Sequence, residues 1–523
     1  MIKPHKIIIV GGGSAGWMTA TTLKKFHPNK EIILIESPNT PTIGVGESTI
    51  GQINNWRGLI GIEDKDFMKH TDATYKLSIR FDEFYKNGAG HFHYPFGEPD
   101  INGNHFGLND WWFKKELYPE TPYHNYAECN FPTMALVNSS KITDVPHKLK
   151  GWDFNQDTAY HFDATKFGLY LKTHHCLNKG VKYIVGNVTD TKVTNEGLKE
   201  IIIDGQLSLS ADLFIDCTGF KSVLLGGAMK EPFESYEHFL PNNSAWATKL
   251  EYKNPQKEIV GYTNCHAIEN GWVWEIPLWH RWGTGYVYSD KYVDDQVALG
   301  EFKRHIKKRF PYADTEHLDY KNIKMRVGLH HRTWVKNVCA IGMSAGFIEP
   351  LESNGLYTVH EFLYKLLRTL TREHINQFDI DAYNMHNKWL FRNFAEFVGL
   401  HYALTARDET EYWRECQRKH YAADIMDNVR PTRYVGFVDA GINKHFNNAF
   451  NYGGFHCIAA GMRWAPVDKI AAIYNRPHLK EQDHYKGWKN MSDNFEKKIK
   501  EWNEMIKDAP LLYDYMKDNI HEV

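Results

Sequence analysis

The sequence predicts an α/β protein in three parts: a parallel-sheet body at the N-terminus, an antiparallel β layer in the middle, and a mostly helical C-terminal region. Three observations carry this. Apolar Ile7-Ile8-Ile9-Val10 runs directly into Gly11-Gly12-Gly13-Ser14-Ala15-Gly16, a helix-like stretch to about Phe26, and a second apolar run, Ile32 to Ile35, ending in Glu36. Short β-rich runs such as Tyr183 to Val185, Leu213 to Ile215 and Gly285 to Tyr288 alternate with polar turns up to about residue 345. From Leu356 onward, apolar residues recur at Val359, Leu363, Leu366 and Leu370, which is helical spacing.

The N-terminal unit is a strand, glycine turn, helix and strand, in the order of a Rossmann-type dinucleotide-binding fold. Gly11-x-Gly13-x-x-Gly16 permits a tight turn, close approach of a pyrophosphate and close helix packing, and the amides around Ser14 and Ala15 open a helix whose N-terminus attracts phosphate. Glu36 ends the next strand, where an acid binds a ribose hydroxyl. No second fingerprint occurs in such a context. The chain therefore holds one dinucleotide and lacks a nicotinamide domain of its own.

Composition narrows the rest. A chain of 523 residues exceeds one compact core, and the reading divides it into a cofactor-binding body, 1–350, and a helical region, 351–523. Lys plus Arg (62) nearly balance Asp plus Glu (64), which leaves no excess charge to draw the protein to nucleic acid or a membrane surface. A small, weakly charged organic substrate fits better, and 16 Trp, 29 Tyr and 29 Phe can wall a site for a flat one. Seven cysteines without a CxxC pair argue for a reducing compartment, and the start of the chain does not resemble a signal peptide, so a cytoplasmic protein is expected. No run of about eighteen apolar residues suits a bilayer. A homo-oligomer is left open.

In mid-chain, Gly271-Trp272-Val273-Trp274-Glu275-Ile276-Pro277 alternates bulky residues on one face of a strand that Pro277 ends. Periodicity alone reads this as core. Together with the N-terminal glycine turn, it resembles the signature pair of flavin-dependent halogenases related to tryptophan halogenase. The resemblance extends in order through Pro41 to Thr49, Ala73-Thr74-Tyr75-Lys76, His161 to Ala164, Asp216 to Phe220, Gly283 to Ser289 and Glu349-Pro350-Leu351-Glu352-Ser353, over most of the first 415 residues.

That resemblance implies an FAD-binding, flavin-monooxygenase-like body and a cycle that uses reduced FAD from a separate reductase, dioxygen and a halide ion. It implies that Trp272, Trp274, Ile276 and Pro277 shield the flavin from organic substrates. It implies that the loop Gly44 to Thr49, with Gly46 and Glu47, straps the flavin, and that Asp216 and Gly342 also meet the cofactor. Lys76 becomes the residue that receives hypohalous acid, a role suited to a buried ammonium with suppressed pKa. From the pattern alone, Lys76 shares a polar face with Ser78 and Arg80. Glu352, otherwise a first-turn acid after Pro350, becomes the active-site glutamate, and the amides of Ser353, Asn354 and Gly355 become donors to halide at a helix N-terminus. Many tryptophan halogenases carry Thr where Asn354 stands.

The substrate side departs further. Family members that bind free tryptophan carry His and Phe two residues apart in a segment resembling His91 to Gly97; here Tyr94 replaces the His and Phe96 remains. Their tyrosine clamp has no counterpart around Tyr434 to Trp464. An electron-rich aromatic of indole or phenol type, rather than free tryptophan, is expected, with bromide or iodide used better than chloride. The pairs His91-x-His93, His174-His175 and His330-His331 lack further ligands at zinc-like spacing, so no metal is expected. Two other readings compete: an FAD-dependent aromatic hydroxylase, and a serine hydrolase with Gly342-Met343-Ser344-Ala345-Gly346 as nucleophile elbow.

Overall fold

A four-residue apolar run with β-branched residues can be buried on both faces only inside a parallel sheet, and Ile7 to Val10 are buried in that way. In the computed structural model, which describes residues 2–39, 46–100, 107–419, 452–465 and 481–522, the strand Lys6–Val10 lies within a six-stranded sheet. Its order runs Trp334–Val335, Val338–Ala340, Leu213–Asp216, Lys6–Val10, Glu31–Glu36, Lys182–Val185. The pairings are parallel except at the Trp334–Val335 edge. Val10 stands in register with Asp216 on one side and Ile35 on the other, so the carboxyl ends of three strands open toward one crevice. The helix Ser14–Phe26 starts there, with Gly13 as its cap.

A seven-stranded sheet forms the second layer: Lys321–Lys324, Ser244–Leu250, Trp282–Tyr288, Gly271–Pro277, Tyr262–Ile268, Ser78–Asp82 and His91–Pro95. It is antiparallel apart from the parallel pair Tyr262–Ile268 with Ser78–Asp82. A small sheet of Glu47–Ser48, Ala159–Phe162 and Thr74–Lys76 joins the two layers. The last described strand is Gly346–Phe347, and the described elements beyond it are helical, chiefly Gly355–Leu370, Gln377–Ala403, Glu411–Lys419, Tyr452–Gly461 and Glu481–Met505. One continuous apolar core runs from Ile7 through Phe394 to Ile520, so the helical region is packed on the body rather than tethered to it. The protein is thus an α/β fold with an antiparallel layer and a helical C-terminal part. Among the described residues, no helix is long and apolar enough to cross a membrane.

The structure corrects one local expectation. Lys76 does not continue the alternation of Ser78 and Arg80, because the chain changes sheets at Leu77, whose amide bonds to the Gly261 carbonyl. Lys76 pairs with Ala159 in the small sheet, whereas Ser78 to Asp82 belong to the large one. The lysine therefore sits at a corner between sheets and is wholly enclosed.

Candidate active site

The glycine turn is shaped by contacts that admit no side chain. A Cβ on Gly11, which has φ +119°, would meet the Cys217 carbonyl oxygen at 2.1 Å, and one on Gly16 would meet the Gly11 oxygen at 1.9 Å. A Cβ on Gly13 would meet nothing within 4 Å, so this residue faces open space at the helix N-terminus. A cradle of this form suits a pyrophosphate and fits FAD. Ser14 and Ala15 begin the helix; the Ser14 hydroxyl donates to the Ala164 carbonyl at 3.4 Å. Gly342, φ +75°, packs against Ala15, where a Cβ would come within 2.8 Å. Glu36 lies over Gly12, and its Oε2 accepts from Tyr183 Oη at 2.6 Å and Lys172 Nζ at 3.2 Å. Asp216 organises the turn that follows its strand. Its Oδ1 accepts from the Thr218 amide and hydroxyl, and its Oδ2 from the amides of Leu224 and Leu225, so the carboxylate is spent on fixing the next turn.

Gly46, φ +94°, packs toward Ile276, with a built Cβ 3.5 Å from Ile276 Cγ2, which sets this part of the loop on the strand of tryptophans. Gly44 and Val45 lie outside the described residues, as do Tyr434 and most of the segment up to Trp464. On Gly271–Pro277, Trp272 and Trp274 are buried with ring centroids 6.3 Å apart. Their different packing was not visible in the repeat. Trp274 lies over Gly285, whereas Trp272 Nε1 donates to Glu349 Oε2 at 3.0 Å.

Lys76 is completely buried, and its Nζ donates to the Thr49 carbonyl at 2.8 Å and to Ser353 Oγ at 2.7 Å. The Phe96 ring lies 5.1 Å from the ammonium. Burial pushes this lysine down to about 7, against the opposing pull of Cys265, Glu352 and Glu47. Glu47, on the far edge strand of the same small sheet, is pushed up to about 7 by burial, with Lys76 opposing. Around the pair, Ser48 Oγ contacts Ser353 Oγ at 3.1 Å and Thr263 Oγ1 at 2.7 Å. His161, held well below its usual range by burial, bridges Thr74 and Thr263.

Glu352 ends a short turn, Pro350–Glu352, that stops before the long helix: Ser353 adopts φ +57° and Asn354 caps Gly355–Leu370. This corrects the expected donor set, since the Ser353 amide is engaged by the Pro350 carbonyl at 3.0 Å. The amides of Asn354 and Gly355 remain at the helix N-terminus. Asn354 is buried, donates to the Ile348 carbonyl at 3.3 Å and leaves Oδ1 without a partner. Gly355 lies close under Glu47: a Cβ there would come 2.9 Å from Glu47 Oε1, which would have to shift. One turn thus gathers Lys76, Glu47, Glu352 and Ser353.

Three groups at this place went unread in the sequence. His401 Nε2 lies 3.0 Å from Glu352 Oε1, both buried. Tyr402, the next residue of the helix Gln377–Ala403, bonds to Glu349 at 2.8 Å. The Cys265 thiol donates to the Leu351 carbonyl at 3.7 Å. Beside them, the Phe81 ring lies tilted against His401 with centroids 4.6 Å apart, and Phe397 lies 6.4 Å from Tyr94. Tyr94 is capped by the helix Tyr452–Gly461, where a Cβ on Gly454 would meet its ring at 2.6 Å. Phe96 thus stands against Lys76, and further aromatic rings surround His401 and Tyr94. Ser344 is no exposed nucleophile: it is buried, and its hydroxyl donates to the carbonyls of Asp216 and Ile341.

Comparison with known proteins agrees with this arrangement. Residues 6–475 match the family described as tryptophan halogenase. The chain is 30% identical over 507 residues to tryptophan 7-halogenase RebH of Lentzea aerocolonigenes, covering 92% of this chain and 93% of that one. The solved apo structure of VirX1 superposes with a TM-score of 0.89 at 35% identity, covering 99% of both chains. BrvH, a flavin-dependent halogenase from Brevundimonas sp. BAL3, gives a TM-score of 0.81 at 26% identity and covers 99% of each.

Proposed function

Because the chain belongs to the tryptophan halogenase family, and so to the flavin-dependent halogenases, we propose that it halogenates an electron-rich aromatic of indole or phenol type at Lys76. The observation that carries the assignment is the buried Lys76 ammonium held by Thr49 and by Ser353, the residue that follows Glu352, with the Phe96 ring beside it. Residues Gly11, Gly13, Gly16 and Glu36 would hold FAD, together with Gly46 and Gly342. When bound in its reduced form, FAD supplies, with dioxygen, the oxidation of halide to hypohalous acid. A separate reductase delivers it, since the chain carries one dinucleotide fingerprint.

The protein's own contribution is positional and electrostatic. Trp272, Trp274, Ile276 and Pro277 form the wall that keeps organic substrates from the flavin. The amides of Asn354 and Gly355 receive halide. Lys76, poised near neutrality, holds hypohalous acid by hydrogen bonding or takes the halogen as a haloamine. Glu352 polarises the electrophile or removes the ring proton. Tyr94 and Phe96 border the aromatic substrate. Tyr94 in place of a histidine argues against free tryptophan, and the altered donor set at Asn354 argues for bromide or iodide over chloride. All seven cysteines are buried and none forms a disulfide, which supports a cytoplasmic location.

The test supplies reduced FAD, bromide and an indole or phenol under air and looks for the bromine isotope doublet in the product. Addition of one oxygen instead would make the protein an aromatic hydroxylase.

A further inference from the structure

Glu349 has no assigned role in the chemistry above, yet three buried donors converge on one of its oxygens. It is fully buried, and one oxygen, Oε2, accepts three hydrogen bonds: from Asn242 Nδ2 at 2.7 Å, Tyr402 Oη at 2.8 Å and Trp272 Nε1 at 3.0 Å. Asn242, Tyr402 and Trp272 are themselves fully buried. Asn242 is held in turn by Tyr412, whose hydroxyl donates to its Oδ1 at 2.9 Å. The other carboxylate oxygen, Oε1, has no partner. Burial raises the pKa of Glu349, and these three donors oppose the rise.

An indole has one N–H, and flipping the ring within its slot would carry that donor to the opposite side. A buried donor loses much by forfeiting its acceptor, so the bond to Glu349 selects one orientation of Trp272. The same carboxylate is fastened to Tyr402, whose chain neighbour His401 faces Glu352, three residues beyond Glu349. The shield tryptophan and the Lys76 side are therefore anchored to one helix end by two adjacent residues.

We propose that Glu349 is a positioning residue that fixes Trp272 as the wall between the flavin side and Lys76, and thereby governs how much of the oxidant reaches halide rather than escaping as hydrogen peroxide. The proposal rests on the halogenase reading for its consequence, but the orientation of Trp272 can be read without turnover. Because the bond requires only an acceptor oxygen, Glu349→Gln preserves it through the amide carbonyl, whereas Glu349→Leu removes it.

The experiment compares wild type, Glu349→Gln, Glu349→Leu and Trp272→Phe by two readouts. The first is the indole N–H resonance of Trp272 in ¹⁵N-tryptophan-labelled protein, assigned by its loss in Trp272→Phe, and its hydrogen exchange. The second is hydrogen peroxide released per dioxygen consumed with reduced FAD and bromide. Glu349→Leu is expected to shift the resonance, speed its exchange by about tenfold and raise peroxide release severalfold, with FAD affinity unchanged. Glu349→Gln should stay near wild type in both. A Trp272 resonance in Glu349→Leu that exchanges as in wild type overturns the proposal even if the protein proves not to halogenate. So does equal damage in Gln and Leu variants, which marks a merely structural carboxylate. Should Glu349→Leu fail to fold, Trp272→Phe alone must reproduce the peroxide leak, and normal coupling in that variant rejects the idea.

Discussion

Replacing Lys76 by methionine separates what the site does from what it costs. The side chain keeps its length and loses its charge. Burial pulls the lysine from its ordinary 10.5 down to about 7, and at about 1.4 kcal/mol per pKa unit this amounts to on the order of 5 kcal/mol against the folded state near neutral pH. Methionine leaves the Thr49 carbonyl without its ammonium donor, which costs about 1–3 kcal/mol, while Ser353 Oγ keeps its contact with Ser48. The net expectation is a protein more stable than wild type by about 2–4 kcal/mol near pH 7 and devoid of halogenation. The pH dependence fixes the cause. Between about 7 and 10.5 the unfolded chain binds the lysine proton and the folded one does not, so wild-type stability rises with pH across this window and the variant's advantage shrinks. Below about 7 the two states bind it alike and the gap is constant. Denaturation midpoints of both proteins across that range, with product assays using reduced FAD and bromide, check this. A methionine variant less stable than wild type, or a gap that does not close toward high pH, refutes burial of the charge as the origin of the suppressed pKa.

Glu352→Gln should lower product formation by about 10²-fold while FAD binding persists, measured by steady-state yield of brominated indole; an unchanged rate would leave the residue as part of the turn only. Gly13→Ala should fold normally and bind FAD more weakly, because its side chain enters open space at the phosphate cradle, whereas Gly16→Ala should fail to accumulate as folded protein, since its Cβ meets the Gly11 oxygen at 1.9 Å; flavin titration and circular dichroism distinguish them. The purified chain should not oxidise NADH or NADPH and should turn over once any flavin reductase is added, followed at the nicotinamide absorbance. In competition at equal halide concentrations, bromide or iodide should exceed chloride and phenols or indoles should exceed free tryptophan; dominant chlorination of tryptophan would show that Tyr94 and Asn354 do not set either preference.

What the sequence disclosed and what it hid divide along a physical line. Local rules suffice where one segment makes its own structure. The run Ile7–Val10 is buried on both faces, so its pattern reads as a parallel strand, and the glycines after it are fixed by contacts with their own turn and with Cys217. The stripe beginning at Leu356 gave the helix Gly355–Leu370 for the same reason. The surroundings of Lys76 follow another rule. Its partners arrive from Thr49, Phe96 and Ser353, and no periodicity announces that the chain leaves one sheet for another at Leu77. Alternation there misled, because two short strands on different sheets imitate one long strand. Likewise, His401 and Tyr402 look like ordinary residues of a long helix, and only the fold sets them against Glu352 and Glu349. Glu349 stands three residues before Glu352 in a motif that was read for the second acid alone. A buried acid without a cation beside it must be satisfied by neutral donors, and Asn, Tyr and Trp from distant segments leave no spacing to detect. The surroundings of Tyr94 are the least legible for the same reason: it meets Phe397 and Gly454, from two helices far along the chain, so what packs on it belongs to the tertiary fold and not to the segment that carries it.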